Sequence, residues 1–190
     1  MPYSIDLFNA EVEAFLRAKP ADTYLDLGPG AGKYGRMIRR VNENATIAAV
    51  ECNPEYVAHF ELESIYDVVR CGQVETMFDE LPDFTVDVVI IGDMIEHLKK
   101  SDGVDLINYL VYRCRYCLVI YPHKYVQYSW RGRAAEAHRS VWTEHDFAPF
   151  SATHQTKKSM SLAIITGYLA DPEAVFGDDF ERPEPLLGLI

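Results

Sequence analysis

The sequence predicts an α/β domain in which five parallel strands carry helices on both faces and end in an antiparallel hairpin. Three observations predict it. Short apolar runs near 23–27, 46–51, 66–71, 86–91 and 116–121 alternate with stretches of helical periodicity, and alternation of that kind builds a parallel sheet with covered faces. A glycine-rich turn, Gly28-Pro-Gly30-Ala-Gly32, joins the first run to the first of these helices. Two further strand-like runs, 152–156 and 162–169, face each other across Lys157-Lys158-Ser159, which is hairpin spacing.

The elements follow in order. Before the sheet, Phe8, Val12, Phe15 and Leu16 share one face of a leading amphipathic helix, which Ser4 or Asp6 would cap and Pro20 would end. Thr23 to Leu27 is the first buried strand. Tyr34, Met37, Ile38 and Val41 recur at i, i+3, i+4 and i+7 in the helix after it. Thr46 to Glu51 is the second strand, and Pro54 opens the next helix as a proline at its first position does. Tyr66 to Cys71 is the third strand, with a short helix from Val74 to Phe78 and a turn at Leu81-Pro82-Asp83. Val86 to Ile91 is read as a β-branched run of the kind that parallel sheets bury on both faces. A helical segment from Met94 to Leu98 leads into a longer helix from Asp102 to Arg113, with Val104, Ile107 and Val111 inward. Tyr116 to Tyr121 is the fifth strand. Residues 1–170 thus make one domain, and 171–190 an acidic, proline-containing tail expected to be solvated and partly disordered.

Composition excludes several classes. The chain has 190 residues, 48% of them hydrophobic, but no apolar run near the length of a membrane span. No signal peptide is recognised at its start, and four cysteines make no disulfide framework, so the expected compartment is the cytoplasm. Cys114-x-x-Cys117 stands alone without a second pair, so it reads as core packing rather than a zinc site, with Cys114 ending a helix. A net charge of −11 argues against a protein coated in nucleic acid. Charge is uneven, however. Between Asp105 and Glu144 the only acid is Glu136, against Arg113, Arg115, Lys124, Arg131, Arg133 and Arg139. That stretch is either a solvated basic face or a site for an anionic substrate.

The glycine turn is the chemical centre. Glycines let backbone approach a ligand closely, and the helix start aims free N–H groups at it. A P-loop is excluded, because Leu27 stands where its first glycine belongs and Tyr34 follows Lys33. Gly30-Ala-Gly32-Lys-Tyr-Gly35 does fit the dinucleotide pattern, with Glu51 about 20 residues on. Asp26, just before the first glycine, belongs to no such pattern and would crowd a pyrophosphate. The segment Asp26-Leu-Gly28-Pro-Gly30-Ala-Gly32 resembles motif I of the class I S-adenosylmethionine (SAM) methyltransferases, which implies a Rossmann-like methyltransferase sheet and SAM as cofactor.

Ligands of open α/β sheets sit beyond the carboxyl ends of the strands, at the switch point of the topology. That rule nominates Asp26, Gly28 and Gly30 from strand one; Glu51 and Cys52 from strand two; Gln73 and Val74 from strand three; and Asp93 from strand four. Glu51 can accept from both hydroxyls of a ribose. Where many SAM enzymes carry an acid for the adenine amino group, this chain has Gln73, whose amide oxygen can also accept.

After strand four comes Asp93-Met-Ile-Glu96-His97-Leu98, and after strand five His138-Arg-Ser-Val-Trp142-Thr143. Helical spacing would put Asp93, Glu96 and His97 on one face. The two segments resemble the Glu-x-x-Glu-His helix and the later His-x-x-x-Trp-Thr segment of RNA methyltransferases that modify the 3′-terminal ribose of small RNAs. That resemblance implies a magnesium or manganese ion on Asp93, Glu96, His97 and His138. The sequence departs from that family in Asp93, a Glu there, and in Tyr121-Pro122-His123, a Thr-Pro-Asn there. Glu-His-Leu after strand four is also widespread in SAM methyltransferases that use no metal. Motifs of base-flipping DNA methyltransferases are absent, so DNA is not expected as a partner.

The sequence therefore reads as a SAM-dependent methyltransferase acting on a hydroxyl of a sugar-like or anionic small molecule. Its catalytic candidates are His138, His123 and His97. An RNA 3′-terminal 2′-O-methyltransferase is the alternative. An NAD-dependent oxidoreductase and a non-catalytic methyltransferase-like binding subunit are the rivals from other classes. Tyr125, Tyr128 and Trp130 are read either as a stacking wall or as core.

Overall fold

The structure, a computed structural model, describes residues 3–76, 84–124, 126–129, 132, 136–178 and 180–186. Strands β1 (Thr23–Leu27), β2 (Thr46–Glu51), β3 (Val68–Cys71), β4 (Val86–Gly92), β5 (Cys114–Pro122), β6 (Ala152–Lys157) and β7 (Met160–Thr166) form one sheet in the order β3-β2-β1-β4-β5-β7-β6. The first five are parallel; β7 runs antiparallel to both β5 and β6. Helices α1 (Asn9–Ala18), α2 (Lys33–Val41), α3 (Pro54–His59), α4 (Lys100–Val111) and α5 (Pro172–Phe176) complete the regular structure. Strand order reverses between β1 and β4, so the rule for open sheets places a ligand at their carboxyl ends.

Alternation along each strand builds a core on both faces. Tyr24, Ile47, Ala49, Val88, Ile90 and Leu118 pack with Val12 and Leu16 of α1 and Met37 and Ile38 of α2. Leu25, Leu27, Val50, Val89, Ile91 and Val119 face Leu106, Ile107 and Leu110 of α4. Val86 to Gly92 is buried throughout, as a strand covered on both faces requires, although Asp87 interrupts its apolar run. Among the described residues, no helix is long and apolar enough to cross a membrane.

Several local expectations need correction. Cys114 does not end a helix. It opens β5, opposite Val86, and both Cys114 and Cys117 are buried in the core, where desolvation pushes the Cys117 thiol up to about 12. The segment after β4 is only a 3₁₀ turn, Ile95–His97. Neither Ser4 nor Asp6 caps the leading helix. The Ser4 hydroxyl instead donates to the Gly92 carbonyl at 3.4 Å, and Asp6 pairs with Lys33 at 3.1 Å.

The expected turn at 81–83, the end of the short helix after Val74, Tyr125 and Trp130 lie outside the described residues; Tyr128 is exposed. The acidic tail is not wholly solvated. Leu186 is fully buried and its N–H donates to the Thr85 carbonyl at 2.8 Å, while Arg182 reaches Asp87 at 3.2 Å. Arg115 also meets Asp87, at 3.7 Å, and Arg113 lies over the Tyr109 ring. Both arginines stand at the start of β5, at the sheet end opposite the glycine turn. The basic stretch is therefore not a single surface, and Arg131 and Arg133 fall outside the described residues.

Candidate active site

The glycine turn is built as a cradle. Gly28, Gly30 and Gly32 all have positive φ, at 71°, 51° and 74°, which L side chains rarely adopt. Gly28 has a second constraint: a Cβ there would stand 2.5 Å from Met94 Cγ. The space at residue 28 thus belongs to Met94, not only to a ligand, and a larger side chain there would disturb packing as well as binding.

Asp26, next to last in β1, is fully buried. One oxygen accepts from the Tyr66 hydroxyl at 2.6 Å; the other, Oδ1, has no hydrogen-bond partner. Burial pushes its carboxyl up to about 7, against the opposing effect of the Tyr66 hydrogen bond. Glu51, at the end of β2, accepts from Gly30 N–H at 3.2 Å and Asn53 N–H at 2.9 Å. Desolvation raises its pKa too. Cys52 follows, and burial of its thiol pushes it up to about 12. From β3, Gln73 is exposed and Val74 buried, and Gly72 N–H donates to the Glu51 carbonyl at 3.0 Å. The residues fit a SAM-type cofactor on two observations: a cradle of left-handed glycines, and a buried carboxylate oxygen without a partner beside it.

The second half of the site lies beyond β4. Asp93 adopts φ 52°, a left-handed conformation uncommon for a residue with a Cβ. It turns toward the N-terminal segment, where Oδ2 accepts from Ile5 N–H at 3.1 Å, and burial pushes it up to about 6. Glu96 is 2% exposed and its Oε2 has no partner. Burial first, and the nearby Asp93 charge second, hold its pKa well above the usual carboxylate range.

His97 Nδ1 lies 3.2 Å from the Ala137 carbonyl. Donation to that carbonyl fixes the tautomer and leaves the Nε2 lone pair available. Burial lowers the His97 pKa, favouring the neutral ring that ligand or base chemistry needs. His138 arrives from the segment after β5; the two rings cross at 84° with centroids 5.1 Å apart, and His138 Nε2 is 4.0 Å from Glu96 Oε1. Ligand atoms of Glu96, His97 and His138 lie within 4.8 Å of one another.

Three of the four residues expected to hold a metal are thus brought together, and Asp93 stands outside that grouping. The donor set, one carboxylate and two imidazoles, fits a divalent transition ion better than calcium, and Glu96 Oε2, buried without a hydrogen-bond partner, keeps its lone pairs free. The cleft over the cluster is lined by Tyr3, Ile5, Asp93, Glu96, His97, Pro122, Gln127 and His138. His123 is not among these. Its Nδ1 lies 3.0 Å from the Ser161 hydroxyl, which pairs in turn with Thr156.

Sequence reasoning did not find Tyr3, Ile5, Gln127 or the Tyr66 partner of Asp26. Each enters through a contact distant along the chain, and only Lys33, read simply as a failed P-loop lysine, carried a trace of it. Its Nζ donates to the Ser4 and Ile5 carbonyls at 3.3 and 2.9 Å, fastening that segment beside the cleft.

Residues 25–110 match the family model for a methyltransferase domain. No curated protein sequence matches the chain significantly. Among solved structures, an O-methyltransferase family protein from Burkholderia thailandensis superposes with a TM-score of 0.60 at 10% identity, over 84% of this chain and 56% of that one. The chain therefore spans little more than half the length of that protein. The methyltransferase domain of bacterial CtHen1-C superposes with a TM-score of 0.62 at 15% identity, over 83% of this chain and 95% of that one. The N-terminal domain of EvdMO1, solved with S-adenosylhomocysteine (SAH) and D-fucose, gives 0.58 at 16%, over 83% and 82%. Identities this low speak for the fold. With the family match over residues 25–110, the switch-point cradle and the antiparallel terminal hairpin, they give this chain the Rossmann-like fold of the class I SAM-dependent methyltransferases.

Proposed function

We propose that this domain transfers the SAM methyl group to a hydroxyl of a sugar-like acceptor, held at Glu96, His97 and His138 with the help of a divalent cation. The observation that carries the reading is the grouping of those three side chains beyond β4, beside the cofactor cradle. Transfer forms a bond between the acceptor oxygen and the methyl carbon, breaks the sulfur–methyl bond and releases SAH and the hydroxyl proton. The cofactor provides the electrophile, so the protein's task is alignment and removal of that proton. A sugar hydroxyl is a weak nucleophile at neutral pH.

A bound divalent transition ion such as manganese would supply Lewis acidity that lowers the pKa of such a hydroxyl. The chain's own contribution is to hold His97 neutral through burial and oriented through Ala137, to keep Glu96 dry, and to bring His138 opposite. Glu51 and the glycine cradle would hold the nucleoside of the cofactor.

The 3′-terminal ribose of an RNA is the second reading. It is favoured by the cluster itself, which occupies the positions of the Glu-His and His-x-x-x-Trp-Thr segments, and by the presence of a Hen1 domain among the fold neighbours. The acidic balance of the chain favours the small acceptor. Both readings are tested by transfer of labelled methyl from SAM to a panel of free sugars, nucleotides and short RNAs, with manganese. Label on a sugar or nucleotide supports the first reading; label on an RNA, absent when its 3′-terminal diol has been oxidised with periodate before the assay, supports the second. SAH binding without transfer to any member would favour a non-catalytic binding subunit.

A further inference from the structure

His138 stands on a stretch of chain, 138–143, that has no regular secondary structure. No ladder or helix fixes it, so its position depends on individual bonds. Arg139 and Ser140 N–H both donate to the Glu96 carbonyl, at 2.7 and 3.1 Å. The Ser140 hydroxyl donates to the Ile95 carbonyl at 3.3 Å and accepts from Trp142 Nε1–H at 2.8 Å.

Trp142 is fully buried. Its ring lies on α4 at Gly103, where a Cβ would approach Cζ2 to 2.6 Å. Lys100, one turn earlier on α4, places Nζ 3.6 Å from the ring centroid, donates to the Val141 carbonyl at 2.7 Å and pairs with Asp146 at 2.8 Å. Glycine in a helix interior is intrinsically unfavourable. Its presence at 103, directly beneath the indole, is explained by the space that the ring occupies.

We propose that Trp142 is a positioning residue: seated on Gly103, it holds Ser140 through Nε1–H, keeps the segment against the Glu96 carbonyl, and so sets His138 opposite Glu96 and His97. It touches none of the candidate reacting groups and acts through Ser140. The proposal deepens the reading of the cluster as the acceptor and cation site, and its mechanical part stands without any ion.

Two variants test it. Trp142→Phe keeps an aromatic ring but removes the Nε1–H donor. Gly103→Ala adds a methyl group beneath the indole while improving the helix propensity of α4. Overpacking at 2.6 Å costs stability whatever the role of Trp142, so the readouts that discriminate are those at the cluster and not the melting temperature. The proposal expects both variants to bind SAH as the wild type does. It expects amide hydrogen exchange at Arg139 and Ser140 to rise, and Mn2+ affinity, read by electron paramagnetic resonance, to fall about tenfold or more, the usual scale for loss of a group supporting a ligand.

Wild-type exchange at those two amides in both variants overturns the proposal, as does wild-type Mn2+ affinity in both. If the wild type itself binds no Mn2+, the cation reading fails. The exchange rates, together with the imidazole contact between His97 and His138 seen by nuclear magnetic resonance, then decide the role of Trp142.

Discussion

Glu96 Oε1 and His138 Nε2 face each other 4.0 Å apart, on side chains that are both more than nine-tenths buried. The separation is too long for a hydrogen bond, and Glu96 Oε2 is buried without a hydrogen-bond partner. A buried acid left so exposed to desolvation is costly unless a proton or a cation compensates it. Replacing Glu96 by Gln removes the charge and keeps the shape. Glu96→Gln is expected to bind SAH within about twofold of wild type and to lose methyl transfer by about a hundredfold or more, on the scale of a lost charge-stabilising group. Calorimetry and a transfer assay check the two halves; unchanged turnover would remove Glu96 from the site.

Asp26 gives a pH prediction. Its folded pKa is raised from 3.8 to about 7 by burial. Below the unfolded value the carboxyl is protonated in both states and the folded protein bears no penalty. As pH rises toward and through about 7, stability is lost because the folded state must bury an ionised group. Asp26→Asn escapes this. Thermal unfolding of the cofactor-free proteins should show the variant gaining on wild type between pH 5 and pH 8; a constant difference across that range would contradict the buried, proton-retaining Asp26.

Asp87, in the next strand, makes the opposite prediction. It accepts from Asp22 N–H, Thr23 N–H and the Thr23 hydroxyl at 3.0 to 3.1 Å and from Arg182 at 3.2 Å. Despite the opposing effect of burial, these partners hold its pKa below the ordinary carboxylate value. Asp87→Ala orphans donors at the sheet end away from the cleft. It should cost about 2–4 kcal/mol of stability and leave SAH affinity unchanged in the folded protein. Because the folded pKa is depressed, the wild-type advantage should shrink as pH falls through it. Denaturant titration at two pH values measures both effects.

Glu51 tests the cofactor half. Hydrogen bonds to a charged acceptor are worth about 1.5–3 kcal/mol, so Glu51→Ala should weaken SAH binding at least about tenfold. The same carboxylate holds Gly30 N–H, so Glu51→Gln, which keeps an acceptor for the turn, should fall between the two. Equal SAH affinity for all three proteins would mean that the end of β2 does not carry the ribose contact.

The order of the sheet could be read from the chain because it rests on local signals. Thr23–Leu27 and Thr46–Glu51 are found with the bounds their apolar runs predict, and Pro54 opens α3 as expected. Errors cluster where tertiary contacts override local preference. Cys114 and Arg115 join β5 because β4 offers a paired edge beginning at Val86. Met94 to Leu98 forms only a 3₁₀ turn, with Asp93 left-handed and tied to Ile5, so the helical spacing that grouped Asp93 with Glu96 and His97 did not hold. The meeting of His97 with His138 was suggested by resemblance between segments. Its cause, Trp142 and Ser140 clamped to the turn after β4, involves partners too far apart in sequence for any periodicity to reveal.

The proposed cation on Glu96, His97 and His138 can be measured without any acceptor. Titrating the purified protein with Mn2+ and counting bound ions by electron paramagnetic resonance tests it most directly, with SAH affinity measured alongside. One ion per chain is expected in the wild type, and loss of that ion in Glu96→Gln and His138→Ala, with SAH bound as before. A wild type that binds no Mn2+, or variants that bind it as the wild type does, would contradict it.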